Sequence, residues 1–163
     1  MTNSRLPSSR PASRVLVALA LVLGLCGGAA GTGAAPAQAT VSACVSTAVT
    51  TGALNHAASR RGALYLYGAA GPSRFDCSGL TKWSYSRAGK TLPRTTMQQY
   101  AAVIHVSRAS SRAGDLVFFM SGGKPYHVGV RGSAGHVWHS PKTGDRVKLS
   151  TIWTSAVVYG RVR

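Results

Sequence analysis

A chain of 163 residues has room for one hydrophobic core of ordinary size, and no internal period suggests a repeat architecture. It carries 19 lysines and arginines against three acidic residues, all aspartates, and the net charge of +16 draws it toward polyanions. The basic residues are scattered without aromatic interleaving, which argues against a dedicated nucleic-acid groove.

In chain order, the first 39 residues read as an export signal. Arg5, Arg10 and Arg14 make a basic start, residues 15–25 form an unbroken apolar run too short to span a bilayer, and Ala37-Gln38-Ala39 offers a processing site. Cys26 invites a lipid anchor, but the large Leu25 before it is unsuited to that processing. Residues 40–163 then form a single domain, with sixteen basic residues against three aspartates (net +13) and two cysteines, Cys44 and Cys77.

Residues 45–61 are rich in alanine and free of proline, a helix that Gly62 stops. "ALYLYG" (63–68) suits a short extended segment and "GAAGPSRF" a loop. Asp76 or Ser78 caps a second helix that places Leu80, Trp83 and Ser84 on one face and ends near Gly89. A short helix follows from Thr95 or Thr96. The second half changes character: "GDLVFF", "HVGV", "HVWH", "DRVKLS" and "VVYGRV" are strand-like and bounded by turn residues. Helices first and a meandering antiparallel sheet after is the α+β pattern.

Cys77 is the residue with chemistry to explain. Two cysteines allow one disulfide between Cys44 and Cys77, or a reactive thiol plus a quiet, packed Cys44. At a helix start, a thiol meets unpaired N–H groups and the positive end of the dipole, both of which favour thiolate. Such a nucleophile needs a base, and the base needs an orienting partner. If Val130 pairs with His136 in the hairpin joining "HVGVR" to "GHVWH", His127 lies directly opposite His139, with Gly129 and Val137 on the same face. The rival register, pairing His127 with His136, starts its second strand with Ser133-Ala134-Gly135, a poor strand sequence. His136 and His139 then face opposite ways, which disfavours a zinc site, and no metal or cofactor is expected. Asp115 reads as a turn residue, His56 and His105 as surface or capping residues, and the tryptophans as packing, with Trp138 nearest a cleft rim.

"GALYLYGAAGPSRFDCSGL", "LPRTT", "GDLVFF", "HVGV" and "VWHSP" occur in the order seen in the NlpC-type cell-wall cysteine peptidases, and residues 55–163 resemble that family. The resemblance implies a papain-like fold, N-terminal helices packed on a C-terminal antiparallel sheet. It implies Cys77 as nucleophile, His127 as base and then acid, and His139 as the orienting residue. Tyr65, Asp76 and Ser78 would meet the substrate, Tyr65 near the thiol and the other two at any free amino end. The implied substrates are peptidoglycan stem peptides, cut between γ-linked D-glutamate and the diamino acid. The export signal adds a secreted or wall-associated location, the positive charge adds anionic wall polymers as partners, and a monomer is expected. Leu64 before Tyr65, and Ala69-Ala70 after Gly68, depart from the common family pattern of proline before the tyrosine and Gly-Gly after it, and bear on cleft shape. A wall-binding module or secreted effector on the same scaffold, and a related thiol amidase or acyltransferase, are the alternatives.

Overall fold

The computed structural model describes residues 44–163, so the expected export signal and Cys26 lie outside the described residues. Three helices precede most of the strands: α1 (Thr47–Ser59), α2 (Cys77–Arg87) and α3 (Thr96–Ala102). Their boundaries follow local chemistry. Ser46 caps α1, Asp76 caps α2 through Gly79 N–H, and Thr95 with Gln98 forms a reciprocal capping box on α3. Gly89, at φ 86°, follows the end of α2 in the left-handed conformation that glycine adopts without penalty.

Strands β1 (Leu64–Tyr65) and β2 (Arg74–Phe75) form a small parallel pair beside the start of α2. The main sheet contains β3 (Ile104–Val106), β4 (Leu116–Ser121), β5 (Lys124–Arg131), β6 (His136–His139), β7 (Lys148–Thr151) and β8 (Val157–Arg161). Its order is β3-β8-β4-β5-β6-β7, every pairing antiparallel. It is therefore not a simple meander: β8 crosses back to lie between β3 and β4. Strand β3 was not anticipated. The β-branched residues Val103, Ile104 and Val106 end α3 at Ala102 and carry the chain into the sheet edge. The expected loop over 68–75 likewise holds β2, whose Phe75 is fully buried.

The parity of β4 explains how one sheet serves two purposes. Leu116 and Phe118 face the helices, joining Val128, Val130, Ala53, Ala57 and Tyr85 in the main core. Val117 and Phe119 face the other way and pack with Val137 and Tyr159. All four of those β4 residues have no solvent exposure, so the run "LVFF" reads as continuous rather than alternating because the strand is covered on both faces. Asp115 is fully buried at the head of β4, paired with Arg161 at 2.9 Å and accepting from Arg112 N–H, the structural role expected of it.

Two sequence expectations fail here. Cys44 is exposed rather than packed, and both it and Cys77 are free thiols, which settles the disulfide alternative in favour of a thiol at position 77. Trp138 does not sit at a cleft rim. It lies opposite Val130 on the helix-facing side of the sheet and packs against both the main core and the Phe75–Leu80–Val147 cluster.

Candidate active site

The site forms where the first turn of α2 meets the sheet. Asp76 fixes that turn, and its carboxylate is almost fully engaged. Oδ1 accepts from Gly79 N–H at 2.7 Å and Arg94 Nη1 at 3.1 Å, while Oδ2 accepts from Gly68 N–H at 2.9 Å and from Arg94 Nη2. Arg94 Nη1 also donates to Ser78 Oγ at 3.0 Å. The sequence expectation gave Asp76 and Ser78 a recognition role. The structure places both in the cleft wall as the brace that ties the β1–β2 loop and the α3 approach to the start of α2. Gly79 completes the brace, because a Cβ there would run into the carbonyl oxygen of Ala69.

Cys77 is the first residue of α2, half-buried, with Sγ 3.6 Å from Thr96 Oγ1. It opens into a cleft of about 1000 Å³ whose walls also include Tyr65, Thr96, His127, His139 and Trp153. Burial, then the neighbouring Cys77 and Asp76, raise the Tyr65 phenol above its ordinary value, so it stays a protonated donor beside the thiol.

His127 comes from β5 and His139 from β6. His127 Nε2 lies 2.9 Å from His139 Nδ1, with the rings nearly perpendicular at 79°. The register that brings them together differs from the sequence expectation. Val130 pairs with Trp138 and Arg131 with Val137, one residue further along each strand than Val130 with His136. The loop keeps its length. Arg131 is drawn into the ladder because its N–H donates to Asp115 O at 2.7 Å and its carbonyl accepts from Gly114 N–H at 2.8 Å. Moving both strands by one residue preserves parity, so His127 and His139 share a face as diagonal rather than directly opposed neighbours. Gly129 is then the residue beside His139, where a Cβ would meet Val137, Trp138 O and His139. His136 is on the opposite face, bonded to Ala134 O.

Three further residues of the site escaped sequence reading. Ser150 on β7 places Oγ 2.9 Å from His139 Nε2. Trp153 stacks on Phe119 at 3.9 Å and flanks both imidazoles, 6.0 Å from His127 and 5.3 Å from His139. Arg94 was visible only as part of "LPRTT", with no sign that its partner lay 18 residues earlier.

Both imidazoles are held neutral. Burial, then the adjacent His139, pushes His127 down to about 3; burial and then the Lys148 ammonium push His139 down to about 4. The sign of the consequence for stability is fixed. Above the unfolded value of about 6.5 neither state binds these protons; below it the unfolded chain binds them and the folded chain does not, so stability falls. Between pH 6.5 and 5 each imidazole is expected to remove about 2 kcal/mol of stability. Thermal unfolding followed across that range checks this: the midpoint should drop on acidification, and a His127→Gln/His139→Gln variant should flatten the slope. An unchanged slope in that variant contradicts the assignment.

Comparison with known proteins identifies the family and the fold. The NlpC/P60 family profile matches residues 62–159. A bifunctional muramidase/DL-endopeptidase, CwlT of Bacillus subtilis, is 36% identical over 117 residues, covering 68% of this chain and 36% of CwlT. Among solved structures, the NlpC/p60 domain of the peptidoglycan hydrolase SagA superposes with a TM-score of 0.63 and 30% identity, covering 70% of this chain and 98% of that domain. RipD from Mycobacterium tuberculosis, described as a non-catalytic NlpC/p60 domain protein adapted to peptidoglycan binding, superposes with a TM-score of 0.60 and 27% identity over 71% of this chain and 96% of RipD. A probable endopeptidase of Corynebacterium glutamicum is 45% identical over 84 residues, covering 52% of this chain, and the matched segment spans less than two fifths of that protein and of CwlT. A profile match over residues 62–159, more than half of the chain, makes this chain a member of the NlpC/P60 family, with its papain-like α+β fold.

Proposed function

We propose that this chain is an exported cysteine endopeptidase that cuts peptidoglycan stem peptides between γ-linked D-glutamate and the diamino acid. The observation that carries the reading is the His127–His139 couple, joined at 2.9 Å and sharing one cleft with the Cys77 thiol. Its relatives in the family include a DL-endopeptidase and a peptidoglycan hydrolase, names that support a peptidoglycan substrate.

The chemistry follows from which nitrogens are occupied. His127 Nε2 is held by His139, leaving Nδ1 as the atom that serves the thiol. A neutral imidazole at rest acts as a general base during attack. His127 Nδ1 takes the thiol proton as Sγ bonds to the carbonyl carbon, and the N–H groups at the start of α2, with the Tyr65 hydroxyl, hold the oxyanion. The tetrahedral adduct collapses as His127 returns that proton to the leaving amine and the C–N bond breaks. Water, deprotonated by the same nitrogen, then attacks the thioester and releases Cys77. Because the imidazole protonates the leaving amine, the wall beyond it, built by Trp153, receives the diamino acid side. The monomer needs no cofactor for these steps, and its excess positive charge favours retention on anionic wall polymers.

RipD shows that the scaffold also occurs without catalysis, so binding alone is the rival reading. Residues 40–163, incubated with purified muropeptides and followed by mass spectrometry, decide between them. Products carrying a new N-terminal diamino acid are expected. Intact muropeptides, or exchange products in which another amine replaces the diamino acid, overturn the endopeptidase assignment.

A further inference from the structure

The outer nitrogen of His139 is not left to solvent. The imidazole is 3% exposed, its Nδ1 faces His127 Nε2 at 2.9 Å, and its Nε2 faces Ser150 Oγ at 2.9 Å. Ser150 projects from β7 at the position paired with Val137, one step diagonal from His139, and its hydroxyl reaches back along the sheet face. The other charged groups around His139 are Lys148, its direct cross-strand neighbour, and Asp145, to which the Lys148 ammonium is bound at 2.6 Å. Neither is hydrogen-bonded to the ring; the hydroxyl is.

A neutral imidazole pair carries two ring protons on four nitrogens, and the contact between the rings takes one of them. Two arrangements are possible. In the first, His127 Nε2–H donates to His139 Nδ1, His139 Nε2–H donates onward, and His127 Nδ1 keeps the lone pair that a base needs. In the second, His139 Nδ1–H donates to His127 Nε2, and His127 Nδ1 carries a proton and cannot accept the thiol's. The first arrangement requires an acceptor at the far end of the chain. The Ser150 hydroxyl can accept from or donate to His139 Nε2. Without it, the second arrangement leaves only a lone pair unmatched, whereas the first leaves His139 Nε2–H a largely buried donor with no partner. The larger cost therefore falls on the base-competent form.

We propose that Ser150 is a positioning residue of this site: its hydroxyl accepts from His139 Nε2–H and so leaves His139 Nδ1 free to accept from His127. The sequence pattern of cysteine and two histidines therefore continues into a fourth residue. Ser150 accepts in the resting enzyme and while His127 is doubly protonated, because in both states the outer proton of His139 points at it. It never touches the substrate, and it acts through two rings in series. This rests on the endopeptidase reading for its kinetic consequence but not for its structural one.

The test uses Ser150→Ala, Ser150→Val and Ser150→Thr in residues 40–163, with two readouts. Long-range proton–nitrogen NMR of the imidazoles reports which nitrogen carries hydrogen and needs no substrate. The expected result is a single Nε2–H form at both rings in the parent and Ser150→Thr, and mixed forms at His139 in the Ala and Val variants. In muropeptide hydrolysis, kcat of the Ala and Val variants should fall about tenfold, the equivalent of one lost hydrogen bond of roughly 1.4 kcal/mol. KM should stay unchanged, and Thr should restore kcat. Unaltered tautomers in Ser150→Ala, or equal kcat for Val and Thr, overturn the proposal. Absence of hydrolysis in the parent with the expected tautomer pattern would reject the endopeptidase reading while leaving the hydrogen-bond assignment standing.

Discussion

Replacing Cys77 with alanine should lower the rate of stem-peptide hydrolysis by about 10³-fold or more while leaving the fold intact. Sγ is the atom that forms the bond to the substrate carbonyl, so no neighbouring group supplies its chemistry. Thr96 Oγ1 lies 3.6 Å from the sulfur but has no base of its own. Structurally the change is mild. Cys77 is half-buried at the first position of α2, a location where alanine is a good helix former, and the cap on that helix belongs to Asp76. Circular dichroism and the melting midpoint should match the parent, while mass spectrometry of digested muropeptides should show no new products. Parental cleavage by this variant would remove the thiol from the mechanism.

The second large effect is on stability. Asp76→Ala should destabilise the domain by about 2 kcal/mol, below the range for a fully buried ion pair because the Arg94 side chain is 34% exposed. The residue is 6% exposed, and its loss leaves Gly68 N–H and Gly79 N–H without their acceptor and Arg94 with only Ser78 Oγ. Helix α2 also loses its N-cap at the turn that carries Cys77. Asp76→Asn should be milder, because it keeps an acceptor for Gly79 N–H and loses mainly the charge opposite Arg94. Urea denaturation of the two variants checks the order, and equal stability of Asp76→Ala and the parent contradicts the bracing role.

The comparison also shows what a linear sequence carries. Local chemistry was readable: the Asp76 cap, the stop at Gly89 and the strands around His127 and His139 are written in residues close together in the chain. The face shared by the two histidines was readable because it depends only on parity, and parity survived a register that moved by one residue on each strand. The exact register was not readable. It is set by Asp115 and Gly114, which hold Arg131 in the ladder from the neighbouring strand. Ser150, Trp153 and Arg94 were missed for the same kind of reason. Ser150 meets His139 only because β7 pairs with β6, and Trp153 reaches the cleft only because Phe119 offers it a flat surface to stack on. Asp76 was seen as a cap but not as the centre of a brace of four N–H donors, since Arg94 arrives from beyond the helix. The crossing of β8 into the middle of the sheet is a long-range pairing that no alternation pattern encodes.

The central claim is that the sulfur of Cys77 is the nucleophile, and stoichiometric alkylation tests it most directly. Cys44 is exposed and would consume reagent, so the measurement uses a Cys44→Ser background. Intact-protein mass spectrometry during titration with iodoacetamide should show one adduct, mapped to Cys77, with hydrolysis lost in proportion to its formation. Full modification of Cys77 with hydrolysis preserved would contradict the account.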